Sequence, residues 1–427
     1  MVEMTWGQKS MLRQLIRDRP PHHFNVVSSI AIPNDLSDAR LRKIIASVIE
    51  EHAVLRTRFH WSEDATVGTQ SLVHAYTLPL DLQAVSGAED EVEAESDPRV
   101  EAAFDFSTDL PIRAYVIERP TGRMLRLVFS HLAIDGWGLG LLARQIHILL
   151  AGARPPPPRV RPVEPHELSA REGSAGLQAR SHRAMTYWTE CLSRFDALGP
   201  RYNDRLYEGC QERRVSYRVT STELYSRVSE IVARYSVTRT AVFLGVLSMA
   251  IGRMRQVDHV PYIFETANRI PPDTVAYVGT MSQPMPCIIT LAPTWGEHFR
   301  QCFDTLLRGV RHGYYDPYHL NQLVPRGAPA SELRFGNHFN YMPTGPARNE
   351  GGSDARPRWS GIEFRDRERP GRYETGVGVE ERAECSTIDL ILDPTVFSNT
   401  DGVAILESIR SCLSHLAAGG DDSASAR

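Results

Sequence analysis

The sequence predicts an α/β protein built from two similar halves. Three features point that way. An amphipathic helical pattern beginning at Ser37 is flanked by short β-rich runs, the same style returns after residue 213, and a proline-rich stretch separates the two. At 427 residues the chain also exceeds what one hydrophobic core usually serves, so two domains are expected.

In the first half, residues 37–51 start at an N-cap serine and set Leu41, Ile44, Ile45, Val48 and Ile49 on one helical face. Branched and apolar runs at 24–32, 70–76, 112–118 and 124–129 read as strands. Residues 88–103 are acidic with spaced valines and alanines, the pattern of a solvated helix. The run AGARPPPPRVRPVEPHELSAREGSAG over 151–176 favours extended backbone and carries the domain crossing, which assigns residues 1–165 to one subdomain and 166–427 to the other.

The second half places a strand at 213–219, an amphipathic helix at 221–234 and a helix at 238–254 that is apolar almost all round, hence deeply buried. Further strands are expected at 260–266, 285–291, 333–341 and 387–392, with helices near 295–312 and 402–415. Residues 343–361 and the tail from Ala417 are polar and rich in small side chains, and read as loose segments. No repeat of fixed period is present.

Composition narrows the function. With 48 basic against 52 acidic side chains the formal charge is -4, and no arginine or lysine cluster offers a stripe for phosphates, so nucleic acid is not an expected partner. The N-terminal MVEMTWGQKSMLRQL lacks the apolar centre of a signal peptide, and no run of about 18 apolar residues occurs. A cytoplasmic location without membrane contact is expected. The six cysteines lie far apart without a CxxC pair, which reads as buried thiols.

The chemistry concentrates in Leu125 to Gly136, LRLVFSHLAIDG, a hydrophobic strand feeding a turn that ends it in a histidine. His131 carries an imidazole suited to orienting or deprotonating an attacking amine or hydroxyl near neutral pH. Asp135 reads as an anchor of the turn, paired with an arginine, rather than as a second base. The amide of Gly136 is a candidate donor to a developing oxyanion.

In context, SHLAIDGWG resembles the HHxxxDG signature of the condensation domains of nonribosomal peptide synthetases, members of the chloramphenicol acetyltransferase-like superfamily. Other stretches agree in order: TWGQKSMLRQL (5–15) with the family's opening segment, EEHAVLRTRF (50–59) with RHExLRTxF, FDFSTDLPIR (104–113) with FDLxxGPLxR, YVGTMSQPMP (277–286) with VGxFVNTxPxR, and FNYMP (339–343) with a late motif. The resemblance spans residues 5 to about 415.

The resemblance implies two acetyltransferase-like subdomains in a V-shaped pseudo-dimer with a central tunnel and the histidine midway along it. It implies a stand-alone condensation enzyme in natural-product biosynthesis. Such an enzyme joins an acyl or aminoacyl thioester, held on the phosphopantetheine arm of a carrier protein acting in trans, to a small-molecule or carrier-bound amine or alcohol. No metal and no cofactor of the enzyme's own is implied. Arg269, in TANR, occupies the stretch whose arginine pairs with the motif's aspartate, and Trp137, Ser282, Asn340 and Tyr341 fall where tunnel-lining residues lie. The alternatives are an acyltransferase of the same superfamily using acyl-coenzyme A, and a noncatalytic recruitment module.

Some positions depart from the pattern. Ser130 replaces the first histidine of the motif, where it supports the turn through local hydrogen bonding; a nucleophilic role is disfavoured because strand neighbours point to opposite faces. Glu51 stands where an arginine is usual, and Ser282 where asparagine or threonine is expected. Trp137 also fits a helix-packing role, and Asn340 with Tyr341 fits core packing. The string Gly136, Gly138, Gly140 lacks a dinucleotide-binding context. His312, Asp316 and His319 have loose metal-like spacing broken by Gly313 and Pro317, and His22 and His23 read as surface or packing residues.

Overall fold

The computed structural model describes residues 1–17, 24–62, 67–86, 97–120, 122–198, 214–323, 335–343, 358–367, 373–382 and 384–424. The N-terminal lobe runs β1 (Val2–Glu3), α1 (Trp6–Arg17), β2 (Asn25–Ile32), α2 (Asp38–Glu51), β3 (Thr57–Trp61), β4 (Gly68–Leu72), β5 (Leu80–Ser86), α3 (Pro98–Glu101), β6 (Ile112–Arg119), β7 (Gly122–Ser130) and α4 (Gly136–Leu150). Helices α5 (Pro165–Glu172) and α6 (Ala175–Ala197) follow the proline run. The C-terminal lobe continues with β8 (Arg214–Ser221), α7 (Thr222–Tyr235), α8 (Arg239–Arg255), β9 (His259–Thr266), α9 (Pro272–Val275), β10 (Gln283–Thr290), α10 (Trp295–His312) and α11 (Pro317–Asn321). It ends with β11 (Asn337–Pro343), β12 (Glu363–Arg367), β13 (Thr375–Arg382), β14 (Cys385–Leu392) and α12 (Asn399–Ala417).

Ser37 caps α2 by accepting the Arg40 N–H, and the five apolar residues of its buried face are the five that the periodicity selects. That face packs on the sheet β2-β7-β6-β5, in which β7 lies antiparallel to both β2 and β6. Ile30, Leu125, Leu127 and Phe129 of the sheet join Leu142 and Ile146 of α4 in one core. Arg56 closes the far end of α2: its guanidinium donates to the carbonyls of Ile49 and Glu50, each at 3.1 Å, satisfying acceptors that a helix end leaves free. The conspicuous LRT of residues 55–57 is therefore a helix stop, with Leu55 and Phe59 in the core.

The C-terminal lobe is organised by a seven-stranded sheet of order β10-β9-β11-β13-β14-β8-β12. Strand β11 pairs parallel with β9 and β13, and β9 with β10, β13 with β14, β14 with β8 and β8 with β12 are antiparallel. Helix α8 is buried at every residue from Ala241 to Gly252, as its all-round apolarity predicts. The two large cores share the chain cleanly: one draws on residues 4–150 together with Val278, the other on residues 184–424.

One sequence expectation changes. The tail over residues 418–424 is fastened, because Asp422 accepts from Tyr235 Oη at 2.8 Å and Gly296 N at 3.1 Å, its carbonyl accepts from Trp295 N, and Ala424 is buried. One aspartate thus ties a polar segment to the start of α10. Of residues 88–103, only Pro98–Glu101 is seen as helix; residues 87–96, like 344–357, lie outside the described residues. Cys191, Cys287 and Cys302 are free and buried, and desolvation raises all three thiols above their ordinary range. Cys210 lies outside the described residues.

A smaller cluster joins the lobes, in which Trp6, Val163, Leu168, Tyr277, Met281 and Tyr314 are buried together. At its centre Glu172 accepts from Tyr314 Oη at 2.5 Å and from the Trp6 N–H at 2.9 Å, with only 2% of its surface exposed. Lys9, whose ammonium acts on this carboxyl, is committed to Glu3 at 2.8 Å and stands 3.7 Å from Asp316. Burial therefore pushes the Glu172 carboxyl up to about 8. The folded chain holds this proton while the unfolded chain loses it near pH 4.5. The associated stability is complete at low pH and falls as pH rises toward 8, a loss on the order of 4 kcal/mol. Glu172→Gln, which mimics the neutral acid, is expected to remove this decline: urea unfolding should show the variant gaining on the native protein between pH 5 and pH 8.5, and a constant difference across that range would refute it.

Candidate functional site

Strand β7 ends at Ser130, and the chain turns through residues 131–135 before α4 begins. Ser130 holds the turn at three points. Its N–H donates to Pro111 O, its carbonyl accepts from Ala133 N and Ile134 N, and its Oγ accepts from Leu132 N at 3.2 Å. The side chain is buried, so its hydroxyl serves the turn and has no access to a substrate. Leu132, Ala133 and Ile134 are fully buried, which leaves His131, half-buried, as the residue of the turn directed away from the core.

Asp135 is the N-cap of α4. Its Oδ1 accepts from Gly138 N at 3.0 Å and from Arg269 Nη2 at 2.8 Å, while its Oδ2 accepts from Met281 N at 2.9 Å and Ser282 N at 3.1 Å. The side chains of both Asp135 and Arg269 are 2% exposed. Arg269 donates further to Gly279 O at 2.6 Å and Ala267 O at 2.7 Å. Four donors from two lobes thus surround one buried carboxylate, the condition under which a buried charge is tolerated.

The loop 276–282 of the C-terminal lobe lies directly against the turn. Ile134 bridges to Gly279, Thr280 N donates to Ala133 O at 3.0 Å, and Thr280 Oγ1 donates to His131 O at 2.6 Å. Contact is close enough to dictate glycine on the N-terminal side. A Cβ on Gly138 would stand 1.8 Å from Val278 O, and one on Gly7 of α1 would stand 2.3 Å from Thr280 O. Of the GxGxG string, Gly138 is the glycine that this approach of α4 to the loop requires, whereas a Cβ on Gly140 would meet nothing within 4 Å.

His131 is held through its main chain, its N–H donating to Phe24 O at 2.9 Å. Its Nδ1 is buried with no hydrogen-bond partner among the described residues, leaving Nε2 as the nitrogen available to a ligand. Gly136 opens α4 and its N–H meets no acceptor among the described residues. Across the seam, Met342 Sδ lies 3.3 Å from where a Gly136 Cβ would be, which brings β11 beside the motif. Side chains alternate along a strand, so Asn340 shares the face of Met342.

Tyr341 does not. It turns into the C-terminal core against Phe243, its hydroxyl bonds Glu381, and Glu381 also pairs with Arg239; burial and this carboxylate push the phenol up. The expectation that Tyr341 lines a tunnel is corrected by that strand parity. Ser282 meets the motif through its amide, a contact that does not read the side chain. Trp137 is 38% exposed and its indole N–H donates to Val275 O at 2.9 Å, tying α4 to α9 across the seam.

The loose histidine set does not converge. His312 stacks on Tyr187, His319 bonds Ser181 Oγ, and Asp316 caps α11; no cluster able to hold a metal occurs among the described residues. His22 and His23 lie outside the described residues. Among the described residues, no single helix is long and apolar enough to cross a membrane. Thr280, Gly138 and Met342 escaped sequence reading. Only Gly138 left a signal, as a glycine one turn into an apolar helix.

Removing either partner of the buried pair leaves the other charge alone, so Asp135→Ala and Arg269→Ala should each cost about 3–5 kcal/mol in chemical denaturation. A loss below about 1 kcal/mol, the level of a surface pair, would show that the pair does not hold the seam.

The sequence model of the condensation domain matches residues 1–426. Among curated proteins, the chain is 23% identical over 270 residues to bacitracin synthase 3 of Bacillus licheniformis, covering 60% of this chain and 4% of that protein. It is 24% identical over 333 residues to phosphinothricin tripeptide synthetase PhsC of Streptomyces viridochromogenes, covering 72% and 30%. The chain thus spans a small part of the length of the synthetases it matches. Among solved structures, the condensation domain of the monacolin K polyketide synthase MokA superposes with a TM-score of 0.77 at 16% identity, covering 99% of both chains. The enacyloxin polyketide synthase condensation domain that mediates chain release gives 0.72 at 16% identity, covering 97% of this chain and 82% of that one. These likenesses establish the fold, the two-lobed chloramphenicol acetyltransferase-like architecture.

Proposed function

The chain belongs to the condensation-domain family, and from that membership we propose that it joins an acyl or aminoacyl group, delivered as a carrier-bound thioester, to an amine or alcohol acceptor. The observation that carries the reading is the pairing of a half-buried imidazole with an uncommitted amide at the opening of α4, on a turn gripped by both lobes.

The acceptor nitrogen or oxygen attacks the thioester carbon, its proton passes to His131, and the tetrahedral oxyanion takes a hydrogen bond from Gly136 N–H, a donor worth about 3–4 kcal/mol. Collapse breaks the C–S bond, and the proton leaves with the thiolate. Asp135 and Arg269 take no proton in this scheme; they hold the turn. A thioester is already activated, so alignment of the two substrates supplies much of the rate, up to roughly 7–11 kcal/mol in ideal cases. The phosphopantetheine arm of a carrier protein acting in trans is the proposed vehicle, the enzyme brings no cofactor of its own, and it works as a stand-alone condensation enzyme.

The test is a reconstituted transfer from a loaded carrier protein, run beside acyl-coenzyme A and with a small amine or alcohol acceptor. His131→Ala should lower turnover by about 10²–10⁴-fold with folding intact, and activity within a few-fold of native would exclude the acid–base role. Equal turnover from acyl-coenzyme A would move the donor assignment to the soluble thioester. Carrier binding without turnover of any thioester would leave a recruitment module.

A further inference from the structure

We infer that Thr280, a residue of the C-terminal lobe, is a positioning residue for the histidine that the N-terminal lobe presents; the inference rests on the acyl-transfer reading of His131. Among the described residues nothing bonds the buried Nδ1 of His131, so the ring is not aimed through a neighbouring carboxylate or carbonyl of another residue, the usual means of fixing an imidazole. Aim then falls on the main chain. The peptide plane before His131 is held by its N–H on Phe24 O at 2.9 Å, and the plane after it by Thr280 Oγ1 on His131 O at 2.6 Å. With both planes fixed, φ and ψ at residue 131 are set, and with them the direction of the Cα–Cβ bond.

Thr280 is also the point at which the loop hydrogen-bonds the motif through a side chain, beside Val278, whose side chain packs in the N-terminal core. Its neighbours touch the motif by backbone: Gly279 bridges Ile134, and Met281 and Ser282 donate their amides to Asp135. Those contacts would survive many substitutions. The Thr280 hydroxyl would not, and it has no solvent to turn to, since the residue is fully buried. A β-branched side chain has few χ1 states, so the hydroxyl is aimed before the lobes meet. The loop itself is pressed home by α1, where Gly7 lets the helix reach Thr280 O. Histidine placement therefore depends on how the two lobes are seated, and a displacement on the order of 1 Å lowers rates by about 100-fold.

Two variants separate the hydroxyl from the shape. Thr280→Val keeps the volume, the branched rotamer and the backbone bond to Ala133 but removes the donor; Thr280→Ser keeps the donor. Under saturating thioester and acceptor, Thr280→Val should lower kcat by about 10–100-fold with KM within about twofold, and Thr280→Ser should stay within about threefold of native. Should the valine variant fail to fold, Thr280→Ala takes its place. The second readout is the His131 ring resonance in protein carrying labelled histidine, assigned by its disappearance in His131→Ala, which should shift in Thr280→Val and not in Thr280→Ser. Native kcat in Thr280→Val, equal losses in the valine and serine variants, or an unmoved ring resonance would each overturn the inference. If the native protein turns over no thioester, the acyl-transfer reading fails by itself, and the ring resonance still decides whether Thr280 aims His131.

Discussion

The Asp135 carboxylate is the constraint around which the rest of the molecule is arranged. An unpaired ionised group sealed from water costs several kcal/mol, so every oxygen lone pair that faces protein must find a donor. Asp135 finds one in its own helix, Gly138 N, and three in the other lobe, from Arg269, Met281 and Ser282. Each requirement propagates. Arg269 must be buried with it, the loop 276–282 must lie flat against the turn, and α4 must approach until no side chain fits at residue 138. The seam between two separately cored lobes is thereby fixed in register at one point, and that point is four residues from His131.

This arrangement separates the charge that builds the site from the group proposed to act in it. The aspartate and arginine are engaged with each other and with the backbone groups around them, while the imidazole Nε2 and the Gly136 amide are left without partners from the described residues. Because the turn residues between them are buried and their backbone groups are engaged from both lobes, the uncommitted groups inherit the rigidity of the pair. A helix N-terminus adds a favourable field for developing negative charge at Gly136. An activated thioester asks for little more than alignment and a place for its oxyanion.

Much of this was legible in the sequence because the physics is local. The periodicity of residues 41–49 selects the buried face of α2, the apolarity of α8 announces its burial, and a hydrophobic strand running into a histidine, an aspartate and a glycine marks the turn. What was not legible is cross-chain. Strand β13, TGVGVEER, alternates correctly, yet its glycines and charges weaken strand propensity, and only its place between β11 and β14 makes it a central strand. The tail looked loose by composition, yet Asp422 bonds the start of α10, Ser423 bridges Thr294 and Ala424 N donates to Pro293 O. Thr280 is one polar residue in a loop, and nothing about its neighbours indicates that its hydroxyl crosses the seam. The assignment of Tyr341 failed on parity, since strand register had to be known before its face could be chosen.

The two buried carboxylates at this joint show why its electrostatics take the form they do. Asp135 has a guanidinium of its own and four donors, whereas Glu172 has two neutral donors, Tyr314 Oη and Trp6 N, and shares the region with Lys9, whose ammonium is taken by Glu3. Coulombic help at Glu172 from Lys9 is further offset by Asp316. With desolvation dominant, the carboxyl is driven up to about 8 and carries a proton at neutral pH. The joint therefore sets a buried charged pair at the turn and a neutral acid behind it. A neutral Glu172 spares this joint a further buried charge, and the Asp135–Arg269 pair remains the ionised contact made on the turn that carries His131.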